Sequence, residues 1–202
     1  MAKIGIIPMA AKPYHAGHDG LVRMAAGEND QVLLFVSTGD RDDVSGEAMA
    51  KIWQEQIEPS LPGNVKVTYG GSPVGNAFVV LGKANETGSQ DEYVIYSDPD
   101  DASRFDDKSL QKYAANLKVT RRPIERTSTV NISGTQMREF LKTGDKKSFL
   151  KYLPKGIDGN VVWDTLLSMK PKPKAPTAKK VTKKPVKAEA LLRGYVRGVL
   201  GR

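Results

Sequence analysis

Five short apolar, β-rich runs alternate with helical patterns along this chain, and that alternation restricts its fold more than any other feature. The runs are Lys3–Pro8, Gln31–Ser37, Val65–Tyr69, Glu92–Ser97 and Leu117–Ile124. The helical patterns fall at about His18–Gly27, Gly46–Ile57, Val74–Gly82, Asp107–Ala115, Gly134–Thr143 and Lys146–Leu153. Strands separated by helices pair in parallel through crossovers, with helices covering both faces of the sheet. The expected fold is therefore α/β, a Rossmann-like doubly wound parallel sheet. In a 3-2-1-4-5 order the first and fourth strands are neighbours at the switch point, where ligands of such sheets bind.

Charge divides the chain in two. The 202 residues carry 31 Lys or Arg and 23 Asp or Glu. Residues 170–202 hold eleven of those bases and one acid, Glu189, for +10; the remaining 20 bases and 22 acids leave −2 on residues 1–169. We expect a near-neutral domain over 1–169, a Lys/Pro-rich linker over 170–187 with little to bury, and a short amphipathic helix over 188–202. In that last segment Leu191, Leu192, Tyr195, Val196, Val199 and Leu200 recur at helical spacing, with Arg193 and Arg197 opposite. Cysteine is absent, which excludes disulfides, thiolate zinc sites and a cysteine nucleophile. No run approaches the ~18 apolar residues of a membrane span. The expectation is a soluble, cytoplasmic protein that makes no membrane contact.

The chain has only two histidines, and both fall in His15-Ala16-Gly17-His18, just after the first strand and at the start of the first helix. A helix N-terminus presents unpaired N–H groups and a positive dipole end, which suits a phosphate. Imidazoles add donors aimed at it. Far downstream, Ile132-Ser133-Gly134-Thr135-Gln136-Met137-Arg138 opens a late helix. Ser133 is placed to cap that helix, with Gln136 completing a capping box. Thr135 and Arg138 share one helix face.

Together these two motifs resemble the HIGH-motif nucleotidyltransferases, the cytidylyltransferase-like family, in their order, spacing and strand–helix contexts over residues 3 to 155. Members include NMN and pantetheine-phosphate adenylyltransferases and cytidylyltransferases acting on glycerol or choline phosphate. The resemblance implies transfer of an NMP group from ATP or CTP to a phosphomonoester, with release of pyrophosphate and Mg²⁺ accompanying the triphosphate. It makes His15, His18 and Arg138 the catalytic residues. Ala10, Ala11, Lys12, Gly17, Ser133 and Thr135 would bind the nucleotide, with Gly17 letting backbone approach phosphate. On their own positions, Asp98, Asp100 and Asp101 are candidates to orient ribose, acceptor or metal, with a solvated acidic turn as the equal alternative. Arg121, Arg122 and Arg126 near the last strand are candidates for the acceptor's phosphate.

This chemistry needs positioned donors and cations rather than a nucleophile with its base, in keeping with a chain that lacks cysteine. Three positions depart from the family pattern: Gly134 stands for the second Ser, Ala11 for an aromatic, and Ser97-Asp98 lacks the usual Gly. Base and acceptor identity stay open. The Lys12-Pro13-Tyr14-His15 context and the run from Gly144 through Phe149 to Leu153-Pro154 resemble phage-encoded members, which brings virion association into view.

Two other readings exist. In one, the chain is a structural or assembly-docking protein whose basic tail binds nucleic acid or a larger complex, with a vestigial nucleotide site. In the other it is a fragment of a class I aminoacyl-tRNA synthetase, which shares H-x-G-H; the length and the lack of a K-M-S-K-S-like loop argue against this. The charge division makes a prediction of its own. Polyanion binding through residues 170–202 should fall steeply between low and physiological salt, as counterion release demands. An apolar contact through residues 188–202 should resist salt, because burial is not screened. Titrating binding of the full chain and of a Lys-run deletion across salt separates the two.

Overall fold

The computed structural model describes residues 1–125 and 130–171. The chain divides into two units, Met1–Lys172 and Pro173–Arg202. The second unit lies outside the described residues, as do Arg126, all but the start of the expected linker, and the expected 188–202 helix.

The strands are β1 Lys3–Met9, β2 Gln31–Val36, β3 Val65–Tyr69, β4 Glu92–Ser97 and β5 Lys118–Pro123. They form one sheet in the order β3-β2-β1-β4-β5, with every pair parallel. The expected fold class and strand order are those observed. Alternation along the central strands sends side chains to two separate cores. Leu33, Phe35, Tyr93 and Ile95 pack on one face with Ala77, Leu81 and Phe105. Ile7, Leu34, Val36 and Val94 pack on the other with Val22, Met49, Met137 and Trp163.

The helices are α1 Ala16–Glu28, α2 Gly46–Ile52, α3 Pro73–Glu86, α4 Pro99–Ala102, α5 Asp107–Ala114, α6 Gly134–Thr143, α7 Lys146–Lys151 and α8 Gly159–Ser168. α3 and α5 cover the first face, and α1, α2, α6, α7 and α8 the second. Several bounds differ from the sequence reading. α1 begins at Ala16 rather than His18, because the side chain of His15 caps it. α2 gives way at Trp53 to a wider π-helical turn through Ile57, then a 3-10 turn over Glu58–Ser60. α3 runs past Gly82 to Glu86, since Leu81 and Ala84 are buried and their packing outweighs the ~1 kcal/mol helix cost of glycine.

α8 is not among the helices expected from sequence. Its N-cap is Asp158, whose side chain accepts from the N–H groups of Asn160 and Val161, and it buries Val162, Trp163 and Leu166. Trp163 meets Phe149 of α7 edge-on, with ring centroids 5.1 Å apart. Trp163→Ala should therefore destabilise the domain by about 3–5 kcal/mol, the cost of removing a large buried side chain. A shift of the urea midpoint at unchanged slope measures it, and a shift below 1 kcal/mol would show that α8 contributes little to the core.

Candidate active site

A cleft of about 550 Å³ opens at the carboxyl ends of the strands and is lined from both sides of the β1/β4 switch point. From the β1 side come Ala10, Ala11, Lys12, His15, Gly17 and His18; from the β4 side come Ser97, Asp98, Asp101 and Arg104. Ser133, Gly134, Thr135 and Arg138 close it from α6. The two motifs of the sequence, more than a hundred residues apart, thus face one space.

The H-x-G-H turn is held by a column of rings. His15 and His18 stack with centroids 3.7 Å apart, Tyr14 stacks beyond His18 at 5.7 Å, and Trp53 meets Tyr14 edge-on at 4.8 Å. Tyr14 is buried, and its hydroxyl donates to Asp19. Burial first and the Asp19 carboxylate second push that phenol's pKa well up, so it remains a donor. Asp19 also pairs with Arg23, whose guanidinium reaches the carbonyl of Ser60.

His15 Nδ1 accepts from the His18 N–H at 3.4 Å, which leaves Nε2 as the ring nitrogen able to donate. The first turn of α1 is more fully paired than a bare helix end: besides the capped His18 N–H, the Ala16 N–H donates to the carbonyl of Tyr152. Gly17 is the close-approach position: a Cβ there would stand 2.9 Å from the Val130 carbonyl oxygen and 3.1 Å from His15 Nδ1.

Lys12 is nearly inaccessible, 4% exposed. Its ammonium donates to Ser37 Oγ and to the Gly39 carbonyl. Burial pushes its pKa below the ordinary lysine value, and Asp40 offsets part of that. A buried cation held by neutral oxygens is well placed to take an anion. Ala11, just before it, has φ of 48°, a left-handed conformation that a residue with a Cβ adopts at a cost.

Arg138 joins the two motifs. It is 9% exposed; Nη1 donates to the Lys12 carbonyl at 2.8 Å and Nη2 to Thr135 Oγ1 at 3.0 Å. Nε lies 2.8 Å from Asp42 Oδ2. The expected capping box of Ser133 and Gln136 is present. It occupies the Gln136 N–H, and the Met137 N–H bonds the Ser133 carbonyl, so Gly134 and Thr135 are the residues whose N–H groups begin the helix next to the cleft. Gly134 also makes room: a Cβ would lie 3.2 Å from Arg138 Nη1 and 3.3 Å from the Lys12 carbonyl.

Arg121 and Arg122 are not among the residues lining the cleft. They lie on β5, an edge strand, where charged side chains discourage pairing with other chains. Arg121 bonds the Phe105 carbonyl and Asp107, and Arg122 bonds Glu28. Asp98 lines the cleft, and Asp101 does so while paired with Arg104 at 3.1 Å. The sequence reading overlooked Ser37 and Arg41, which line the cleft, and Asp42. All three follow β2, whose carboxyl end opens onto the same side of the sheet, so a parallel topology was the available signal.

Residues 4–72 match the citrate lyase ligase C-terminal domain family, a segment that spans β1 to β3 and includes the histidine pair but not α6. No curated protein sequence matches the chain. Among solved structures, a Vibrio parahaemolyticus protein to which nicotinate-nucleotide adenylyltransferase activity has been ascribed superposes with a TM-score of 0.53 at 21% identity, over 83% of this chain and 93% of that one. Thermotoga maritima TmcAL bound with alpha-thio ATP gives 0.50 at 14% identity, over 83% of this chain and 55% of that one. A bifunctional NMN adenylyltransferase/ADP ribose pyrophosphatase from Francisella tularensis gives 0.51 at 11%, over 83% and 49%. The chain spans about half the length of these last two. At such identities the likeness is one of fold.

The two glycines of the cleft make different demands. Gly17→Ala should cost about 1–2 kcal/mol, since the facing atom is backbone and cannot give way. Gly134→Ala should stay within about 1 kcal/mol, because its facing atoms, Arg138 Nη1 at 3.2 Å and the Lys12 carbonyl at 3.3 Å, leave more room than the 2.9 Å contact at Gly17. Thermal denaturation of the two variants checks the order, and a costlier Gly134 variant would reverse the assignment of where the cleft is tightest.

Proposed function

We propose that this protein is a nucleotidyltransferase that moves an NMP group from ATP or CTP to a phosphomonoester with release of pyrophosphate. The observation that carries this reading is the convergence of Lys12, His15, His18 and the buried Arg138 on one cleft at the switch point of a parallel sheet. The family match over 4–72 and the adenylyltransferases among the structural neighbours support it.

A phosphate oxygen of the acceptor attacks the α-phosphorus, a new P–O bond forms, and the bond to the β-phosphate bridging oxygen breaks. Pyrophosphate carries away the electron pair, and no covalent enzyme intermediate is needed. His15 and His18 donate to the α- and β-phosphate oxygens as charge accumulates there. Gly17, Ala10 and Ala11 allow backbone to come close, and Ser133 holds the helix end whose Gly134 and Thr135 N–H groups meet phosphate. Arg138 and Lys12 bind the leaving pyrophosphate. Were Mg²⁺ to accompany the triphosphate, Asp98 and Asp101, carboxylates of the cleft lining, would be the side chains to hold it, and it would supply charge neutralisation on the phosphates.

The test is pyrophosphate release from ATP or CTP with a panel of phosphomonoesters. His18→Ala should lower kcat by about 10²–10³, the scale of losing one preorganised donor, measured well below the Tm of the variant because His18 also stacks on His15 and Tyr14. Arg138→Ala should impair both KM and kcat, and Arg138→Lys should restore only part, because a point charge lacks the planar fork. Wild-type turnover in His18→Ala, or no pyrophosphate with any acceptor, would overturn the proposal.

A further inference from the structure

The loop from β2 to α2 grips both of the cations that the proposed function assigns to phosphate. Its Ser37 and Gly39 hold the Lys12 ammonium, and its Asp42 holds Arg138. The base of this loop is closely shut. Gly46 lies so near Thr38 that a Cβ would overlap the Thr38 carbonyl oxygen, at 1.8 Å, and the Gly46 N–H donates to Asp40 Oδ1 at 2.8 Å. Arg41 and Val44 exchange backbone hydrogen bonds of 3.0 Å, which turns the tip back on itself. At that tip Asp42 has φ of 52°, a left-handed conformation that Asp and Asn adopt more readily than most residues with a Cβ.

Asp42 itself is 64% exposed, whereas the Arg138 side chain is 10% exposed. The buried partner is fixed by Lys12 and Thr135, and the exposed partner reaches to it. Of the five guanidinium N–H groups, three are engaged by Lys12, Thr135 and Asp42. A bound triphosphate, with several negative charges, competes for the Nε edge. A carboxylate left beside it would be repelled.

We propose that the β2–α2 loop is a counter-anion gate on the phosphate site, in which Asp42 occupies Arg138 until a triphosphate displaces it. This rests on the nucleotide reading of the cleft and extends it to a residue that touches no substrate. Asp42 is a positioning residue: it keeps the buried guanidinium paired and oriented while no anion is bound. Triphosphate then takes Arg138 from Asp42 and Lys12 from the Gly39 carbonyl, so the loop loses both anchors in one event. Arg41, carried on the same tip and lining the cleft, moves with it.

Binding and loop exchange in the full-length chain test the gate. Asn and Gly both suit the left-handed backbone, so Asp42→Asn and Asp42→Gly remove the carboxylate without straining the turn. Calorimetric titration with ATP and with inorganic triphosphate should show about fivefold tighter binding by both variants than by wild type, the size of a lost exposed ion pair. Amide exchange over residues 39–44 should quicken in wild type when inorganic triphosphate binds, and be already fast in ligand-free Asp42→Asn. Binding by Asp42→Asn without wild-type binding would also support the gate. Wild-type binding with no tightening in the variant, or with a loop that becomes more protected, overturns the gate alone. No binding by either protein overturns the gate and the nucleotide reading together.

Discussion

The hydrogen bond from Arg138 to the carbonyl of Lys12, 2.8 Å long between residues 126 positions apart, is the contact on which the cleft depends. A guanidinium cannot shed its proton, so once buried it must find acceptors or incur a large desolvation cost. The Lys12 carbonyl, Thr135 and Asp42 meet that need. In doing so they clamp α6 against the loop after β1. Gly134 permits the approach, because a side chain at that position would crowd both partners.

The other half of the cleft rests on aromatic packing. The imidazoles stand on Tyr14, Tyr14 on Trp53, and Trp53 meets Tyr69 of β3 edge-on at 6.3 Å. Stacked and edge-on rings of this kind hold orientation as well as area. The hydroxyl of Tyr14 is anchored through Asp19 to Arg23 and on to Ser60, so α1 is tied to the turn that ends the second helix. The histidines are therefore positioned by residues from β3, α1 and the segment after α2.

Legibility in the sequence followed the range of the interactions involved. The sheet core was readable because burial on two faces imposes continuous apolar runs, as in Val32–Val36 and Tyr93–Tyr96. The capping box at Ser133 was readable because its partners lie three residues apart. α8 was missed although Val162, Trp163 and Leu166 recur at helical spacing, since the segment offers few buried positions and its weight comes from packing on Phe149. Arg121 and Arg122, candidates for the acceptor's phosphate from their place near the last strand, form ion pairs outside the cleft lining. Their partners Asp107 and Glu28 lie on other elements.

What the sequence determined by itself is the class of fold and the strand–helix settings of the two segments around His15–His18 and Ser133–Arg138, since hydrophobic periodicity and cap chemistry act between near neighbours. The tertiary structure decided which strand ends meet, that α1's first turn is largely satisfied within the protein, and that the loop after β2 enters the cleft. Asp42 carries no local signal of its role: its partner is 96 positions away, and only chain folding brings the exposed carboxylate to the buried guanidinium. Coulomb attraction and hydrogen bonding depend on distance in space, and that distance was set by the parallel sheet that aligned the carboxyl ends of β1, β2 and β4.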